Sequence, residues 1–235
     1  MFAAAKEKGV FVMEAMWTRF FPLTRTLQRL LHEEKILGNI VRVFADFALD
    51  MDIKSLGPQS RLKNRELGAG SLLDIGIYSL MWGLLCLDDG IADKAEKPKV
   101  SSVQSLDEGV DVTSSILLFY PSTGRQGILT STLSSRTDKF FARIEGTKGA
   151  IFIEGPTSKP IRFKFIPKGK DVKEEVFEFD NPGSGFFYEA DAVALDIQAG
   201  RTENAIMPWA ETIRVMEIMD GIRYSNGALF PQDEE

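Results

Sequence analysis

The chain has one cysteine and one histidine among its 235 residues, and that scarcity removes several kinds of chemistry together. Cys86 alone closes no internal disulfide, which fits a reducing compartment, so the expected location is cytoplasmic. A zinc site needs clustered histidine and cysteine ligands, so no metal centre is expected. Ser/His/Asp or Cys/His catalysis would have to run through His32, which lies in the polar-apolar helical run Leu27–Lys35 and reads as an exposed surface residue. Charge of one sign is also missing: 28 basic against 34 acidic residues give −6, without a basic stripe for nucleic acid. The longest apolar runs, Ile116–Tyr120 and Ser79–Leu87, are shorter than the ~20 residues that cross a bilayer, so no membrane partner is expected. Lys6, Glu7 and Lys8 interrupt the opening residues where a secretory leader needs an apolar core.

Nucleotide cradles are lacking as well. Gly68-Ala-Gly70 and Gly183-Ser-Gly185 have Leu73 and Tyr188 where a dinucleotide fingerprint needs its third glycine, and Gly169-Lys170 is followed by Asp171 rather than Ser or Thr.

Apolar residues make up 44% of the chain, enough for a packed core. Ala3–Lys8 reads as the tail of a helix, and Val10–Met16, after Gly9, as a buried strand. Pro22 opens a helix to about Glu34, with Leu23, Leu27, Leu30 and Leu31 on one face. Ile40–Leu49 alternates as a strand, 55–67 reads as a loop, and Gly68–Leu87 is long and apolar enough for a buried helix. Seven short β-rich runs follow: Val100–Leu106, Thr113–Tyr120, Gln126–Leu133, Phe140–Glu145, Ala150–Glu154, Ile161–Phe165 and Glu174–Phe179. Two helices close the chain, Phe186–Gln198 and Pro208–Tyr224. The fold class is therefore α+β: a large, open, mainly antiparallel sheet with helices on one face. Since Ile116–Phe119 is apolar on both sides, a partner chain is expected on the other face.

Two constellations carry chemistry. Asp74 and Tyr78, four residues apart, project from one face of the buried helix; a tyrosine beside a carboxylate can exchange a proton with a substrate hydroxyl if a cation lowers its pKa of about 10. Equally, Asp74 braces the helix and Tyr78 is core. Trp17 and Arg19, just past the Val10–Met16 run, offer a stacking face and a fork of donors for a polyol, or form a snorkelling pair at a helix entry. Cys86, beside Trp82 in the apolar run, reads as an inert core thiol.

Four stretches, Gly9–Pro22 (GVFVMEAMWTRFFP), Gly70–Tyr78 (GSLLDIGIY), Ile144–Gly149 (IEGTKG) and Gly185–Glu189 (GFFYE), resemble the glucose-fructose oxidoreductase (Gfo/Idh/MocA) family, in the branch of NADP-dependent D-xylose dehydrogenases and dimeric dihydrodiol dehydrogenases. Met207-Pro208 and Met219–Arg223 fit the same branch. The resemblance implies a two-domain oxidoreductase, of which residues 1–17 match the end of a dinucleotide-binding Rossmann domain, including its last strand, and 18–235 match the C-terminal substrate and dimerisation domain. It implies hydride transfer between D-xylose, a related aldose or a diol and NADP, the cofactor being held mainly by an N-terminal domain outside this chain. In the family, a glycine fingerprint and a Glu-Lys-Pro motif with a catalytic lysine precede the position of Gly9. By the same resemblance Tyr78 is the acid/base, Asp74 its companion, Trp17 and Arg19 line the substrate pocket, Phe186 or Phe187 adds an aromatic wall, and Glu14 is a motif member without an assigned role. A homodimer through the open sheet face is implied too. The alternative is a non-catalytic sugar-binding or dimerisation module, a truncated pseudoenzyme.

Overall fold

A computed structural model describes residues 1–234. Eight strands form one open sheet in the order β2-β3-β4-β1-β5-β6-β7-β8. They are β1 Ile40–Ala48, β2 Lys99–Asp107, β3 Val110–Phe119, β4 Gln126–Thr132, β5 Phe140–Gly146, β6 Gly149–Glu154, β7 Arg162–Pro167 and β8 Glu175–Glu178. All seven runs expected after residue 99 are strands of this sheet. β1 enters at its centre, parallel to β4 and antiparallel to β5, and every other pairing is antiparallel.

The helices are α1 Phe2–Lys8, α2 Pro22–Gln28, α3 Ile77–Leu87, α4 Phe186–Gln198 and α5 Trp209–Asn226. α3 lies against β1 and β4, and α5 against β2. Close approach of α3 to β4 requires glycine. A Cβ at Gly83 would sit 2.7 Å from Leu129 Cδ1, and one at Gly76, just before α3, 2.8 Å from Ser131 Oγ. Trp82, fully buried, donates its indole N–H to the Thr157 carbonyl at 2.9 Å and ties α3 to the far half of the sheet. An 18-residue window within Arg65–Leu87 is apolar enough in length and composition to cross a membrane, yet 78% of its residues are buried within the domain, as in a core segment.

Strand register sorts the two faces. Leu118, Gly127, Val43, Ile144, Ile151 and Phe165 are successive cross-strand partners and line the helix-covered face. One residue along, Leu117, Ile128, Phe44, Arg143, Phe152 and Lys164 form the opposite row, on which no described helix packs. There the Arg143 guanidinium lies 4.3 Å from the Phe44 ring centroid, and Leu117 is 42% exposed. The expectation that Ile116–Phe119 is apolar on both sides holds in this register.

Two readings need correction. Val10–Met16 joins no sheet among the described residues and is mostly half-buried or exposed rather than core; across the chain Val12 N–H donates to the Thr202 carbonyl at 3.2 Å and the Val12 carbonyl accepts from Trp209 Nε1–H at 2.7 Å. Apolar composition signals burial, but a strand also requires a neighbour to complete its ladder. His32 is half-buried rather than exposed: a π-turn over Arg29–Glu33 extends α2 and directs the ring so that Nε2 lies 2.8 Å from the Leu85 carbonyl.

Candidate functional site

The residues singled out in the sequence converge at the start of α3. A π-turn, Leu72–Gly76, precedes it, anchored by the buried Asp111 carboxylate, which accepts from Leu72 N–H at 2.7 Å and Ser71 Oγ at 2.8 Å. Such a turn inserts an extra residue into the helical phase, a feature common at functional sites. Tyr78, in the first turn of α3, is half-buried. Its Oη accepts a hydrogen bond from Trp17 Nε1–H at 2.8 Å. Since the indole is only a donor, the phenol proton is free of that contact, and among the described residues it has no acceptor.

An aromatic frame surrounds the pair. Trp17 stacks on Phe186 at 4.2 Å between centroids and meets Phe21 edge-on at 5.3 Å; Phe47 of β1 meets Tyr78 edge-on at 5.6 Å. Phe47 also lines an open hollow of about 550 Å³ with Ala48, Met51, Arg136 and Thr157. Phe186, which covers one face of Trp17, is 57% exposed. Phe187, one residue on, turns instead toward Tyr188, with centroids 4.1 Å apart.

Electrostatics at the phenol run one way. Burial raises its pKa above the ordinary tyrosine value, the Trp17 hydrogen bond lowers it, and the carboxylates of Asp74, Glu189 and Glu14 raise it. Burial lifts the Glu189 carboxyl to about 7 and also raises Glu14. One buried oxygen on each of these glutamates has no hydrogen-bond partner among the described residues. The leading charged influences on Tyr78 are all acidic, so as it stands the phenol holds its proton at neutral pH.

Asp74 and Tyr78 do share the helix start, but Asp74 pairs with Arg61 at 2.5 Å, and its effect on the phenol is through charge alone. Arg19 departs from expectation. Its side chain is 4% exposed and points inward, donating to Glu211 Oε1 at 2.8 Å and to the Ile206 carbonyl at 3.2 Å, so it offers no donor to a pocket. The cause is the 3₁₀ turn Trp17–Phe20: at three residues per turn, positions 17 and 19 diverge. Glu189, which acts on the phenol through charge, is not among the residues the sequence singles out, although it closes the Gly185–Glu189 motif; its polarity amid Phe186, Phe187 and Tyr188 is the available signal. A Glu-Lys-Pro tripeptide does occur at Glu96–Pro98, but Lys97 lines a groove against α5 with Ile213 and Arg214 and is not among the leading influences on Tyr78. Cys86 is buried, its thiol pushed up by burial, as expected of an inert core residue. Among the residues described, no cluster of His, Cys, Asp and Glu could hold a metal.

Residues 24–152 match the GFO/IDH/MocA C-terminal domain. The chain is 29% identical to D-xylose 1-dehydrogenase (NADP(+)) of Hypocrea jecorina, over 97% of its own length and 63% of that protein's. It is 34% and 36% identical to the trans-1,2-dihydrobenzene-1,2-diol dehydrogenases of Sus scrofa and Mus musculus, over 100% of its own length and 68% and 67% of theirs. The chain thus spans roughly two thirds of these relatives. Among solved structures it is similar to an aldose-aldose oxidoreductase from Caulobacter crescentus complexed with glycerol, with a TM-score of 0.76 at 23% identity over 95% of this chain and 64% of that one. A 3-ketoreductase from Actinomadura kijaniata gives 0.73 at 20% identity over 96% and 64%, and these two show a shared fold.

Proposed function

The chain belongs to the glucose-fructose oxidoreductase (GFO/IDH/MocA) family, and on that premise we propose that it forms the substrate-binding part of an NADP-dependent oxidoreductase acting on D-xylose, a related aldose or a diol. The observation that supports this best is the Trp17–Tyr78 pair: the indole fixes the phenol oxygen and leaves the phenol proton for a substrate hydroxyl, beside an exposed aromatic wall. Tyr78 is the acid/base, Trp17 and Phe186 hold the apolar face of the ring, and Asp74 acts on the phenol through charge.

The residues present do not fit a dinucleotide. A Cβ on Gly70 would lie 2.0 Å from Asp111 Oδ1, so this Gly-x-Gly faces a buried carboxylate that repels phosphate. Gly185 faces the Phe21 ring, and the first turn of α4 behind it carries Glu189. NADP is therefore assigned mainly to a part of the polypeptide outside these residues, and residues 1–17 to the join with that part. This chain's own task is proton exchange. Before Tyr78 can accept a hydroxyl proton near neutral pH, a cation must offset Asp74, Glu189 and Glu14. We assign that cation to the same outside part. A homodimer through the row from Leu117 to Lys164 completes the proposal, and the location is cytoplasmic.

In the intact oxidoreductase, Tyr78→Phe is expected to lower xylose- or diol-dependent NADP reduction by roughly 10²-fold or more. Unchanged turnover removes the assignment. The acidic character of the leading charged influences on the phenol also favours a second reading, a non-catalytic sugar-binding module. Titrating the intact polypeptide with NADPH while following nicotinamide fluorescence separates them: no binding by a polypeptide that still binds sugar favours the module.

A further inference from the structure

We propose that Glu189 accepts the hydroxyl adjacent to the one served by Tyr78, so that the site selects vicinal diols over single alcohols; this rests on the Tyr78 reading above. Position comes from helix geometry. Phe186 and Glu189 lie three residues apart at the start of α4 and share a face. Phe186 stacks on Trp17, and Trp17 holds Tyr78, so the first turn of α4, which carries Glu189, is joined to the phenol through the aromatic contact. Its charge reaches Tyr78.

The second argument is an unmet hydrogen bond. Glu189 Oε2 is buried and has no partner among the described residues. Buried polar atoms in folded proteins are overwhelmingly paired, and an orphaned acceptor costs free energy until a donor arrives. Burial with no compensating cation is also why the carboxyl titrates near 7. Besides Tyr78 on α3, on which it acts, the carboxylates that act on the same phenol are Glu14 of the N-terminal segment and Asp74 of the π-turn. None of them donates to a carboxylate at neutral pH except the phenol, whose proton faces the reacting hydroxyl. The unpartnered Oε2 is left to accept from a second hydroxyl of the same substrate. D-Xylose and a trans-1,2-dihydrodiol, named in the relatives, have that arrangement in common although their rings do not.

The test uses the full chain and the indole N–H resonance of Trp17 in ¹H–¹⁵N spectra. Wild type is titrated at pH 8 with trans-1,2-cyclohexanediol and, separately, with cyclohexanol, and Glu189→Gln, Glu189→Asp and Tyr78→Phe are compared. A hydrogen bond to a charged acceptor makes the diol bind about 10- to 100-fold more tightly than the alcohol in wild type. Glu189→Gln removes that preference, Glu189→Asp restores part of it, and Tyr78→Phe weakens both ligands alike. Lowering the pH through 7 reduces the wild-type preference. A diol preference that survives in Glu189→Gln, with a wild-type spectrum showing that it is folded, overturns the role of Glu189 and leaves Tyr78 standing. Failure of wild type to bind the diol, or binding unaffected by Tyr78→Phe, overturns the underlying reading as well.

Discussion

Replacing Glu211 by glutamine is expected to destabilise the domain by about 3 kcal/mol and to disturb Trp17 at a distance. Arg19 and Glu211 are 4% and 1% exposed and pair at 2.8 Å. Glu211 also accepts from Arg214 Nη1 at 3.0 Å and from the Ala92 N–H at 2.9 Å. Burial alone would raise its carboxyl, yet Arg19 and Arg214 hold it below the ordinary range, while burial lowers Arg19. Removing the carboxylate strands a buried guanidinium with only the Ile206 carbonyl and Met207 Sδ as partners. Breaking such a pair costs about 3–5 kcal/mol, and the lower end applies because the amide oxygen keeps one acceptor and Arg214 keeps Asp88. For a chain of this size each kcal/mol moves Tm by about 2–4 °C, so a fall of about 6–12 °C is expected in thermal unfolding followed by circular dichroism. Arg19→Met combined with Glu211→Leu removes both charges of the pair and should be less destabilising than the sum of the single changes by about 1–2 kcal/mol. Because Arg19 lies two residues after Trp17 in one 3₁₀ turn, Glu211→Gln should also shift indole emission. A Glu211→Gln protein within about 0.5 kcal/mol of wild type, or strict additivity in the double variant, would refute the reasoning.

Three further outcomes follow from particular residues. The native Glu189 carboxyl keeps its proton to about 7 while the unfolded one releases it near 4.5, so the native state binds more protons in that window and stability falls as pH rises through it. Glu189→Gln flattens that slope, which urea midpoints at pH 5 and pH 8 will show; Asp88, raised to about 6 chiefly by burial, leaves a residual slope of the same sign. Gly185→Ala places a Cβ 2.5 Å from Phe21 Cε1 at a φ of +81°, and since Phe21 is fully buried against Trp17, a loss of about 2 kcal/mol and an altered near-ultraviolet spectrum are expected. Cys86 should resist an aromatic disulfide reagent in the native chain and react once urea unfolds it; rapid native labelling would contradict its burial.

How far the sequence reveals the molecule depends on how local each signal is. Strand alternation, turn residues and helix ends act within a few positions, and the eight sheet strands, with α4 at Phe186–Gln198, lie where the pattern puts them. Strand order is not local. Nothing in Ile40–Ala48 announces that it slots between β4 and β5, since that choice is made by pairing across some ninety residues. The site divides in the same way. Tyr78 and Trp17 were identifiable from the family motifs and do meet, whereas Arg19, their neighbour in the motif, belongs to a buried ion pair whose partner stands 192 residues away.

That division has a consequence for the site. The turn Trp17–Phe20 is held from opposite sides, by Trp17 to Tyr78 on α3 and by Arg19 to Glu211 on α5. Glu211 continues to Arg214, Arg214 to Asp88, and Asp88 to the Tyr120 hydroxyl at 2.6 Å beyond the end of β3. The phenol is therefore set by a chain of contacts that reaches the opposite end of α3. On the near side its support is aromatic and tolerant of exposure; on the far side it is ionic and dry, where a misplaced charge is costly. A substitution near Trp17 should therefore change ligand contacts with modest loss of stability, and one in the α5 network should lower stability and reach ligand contacts only through the turn.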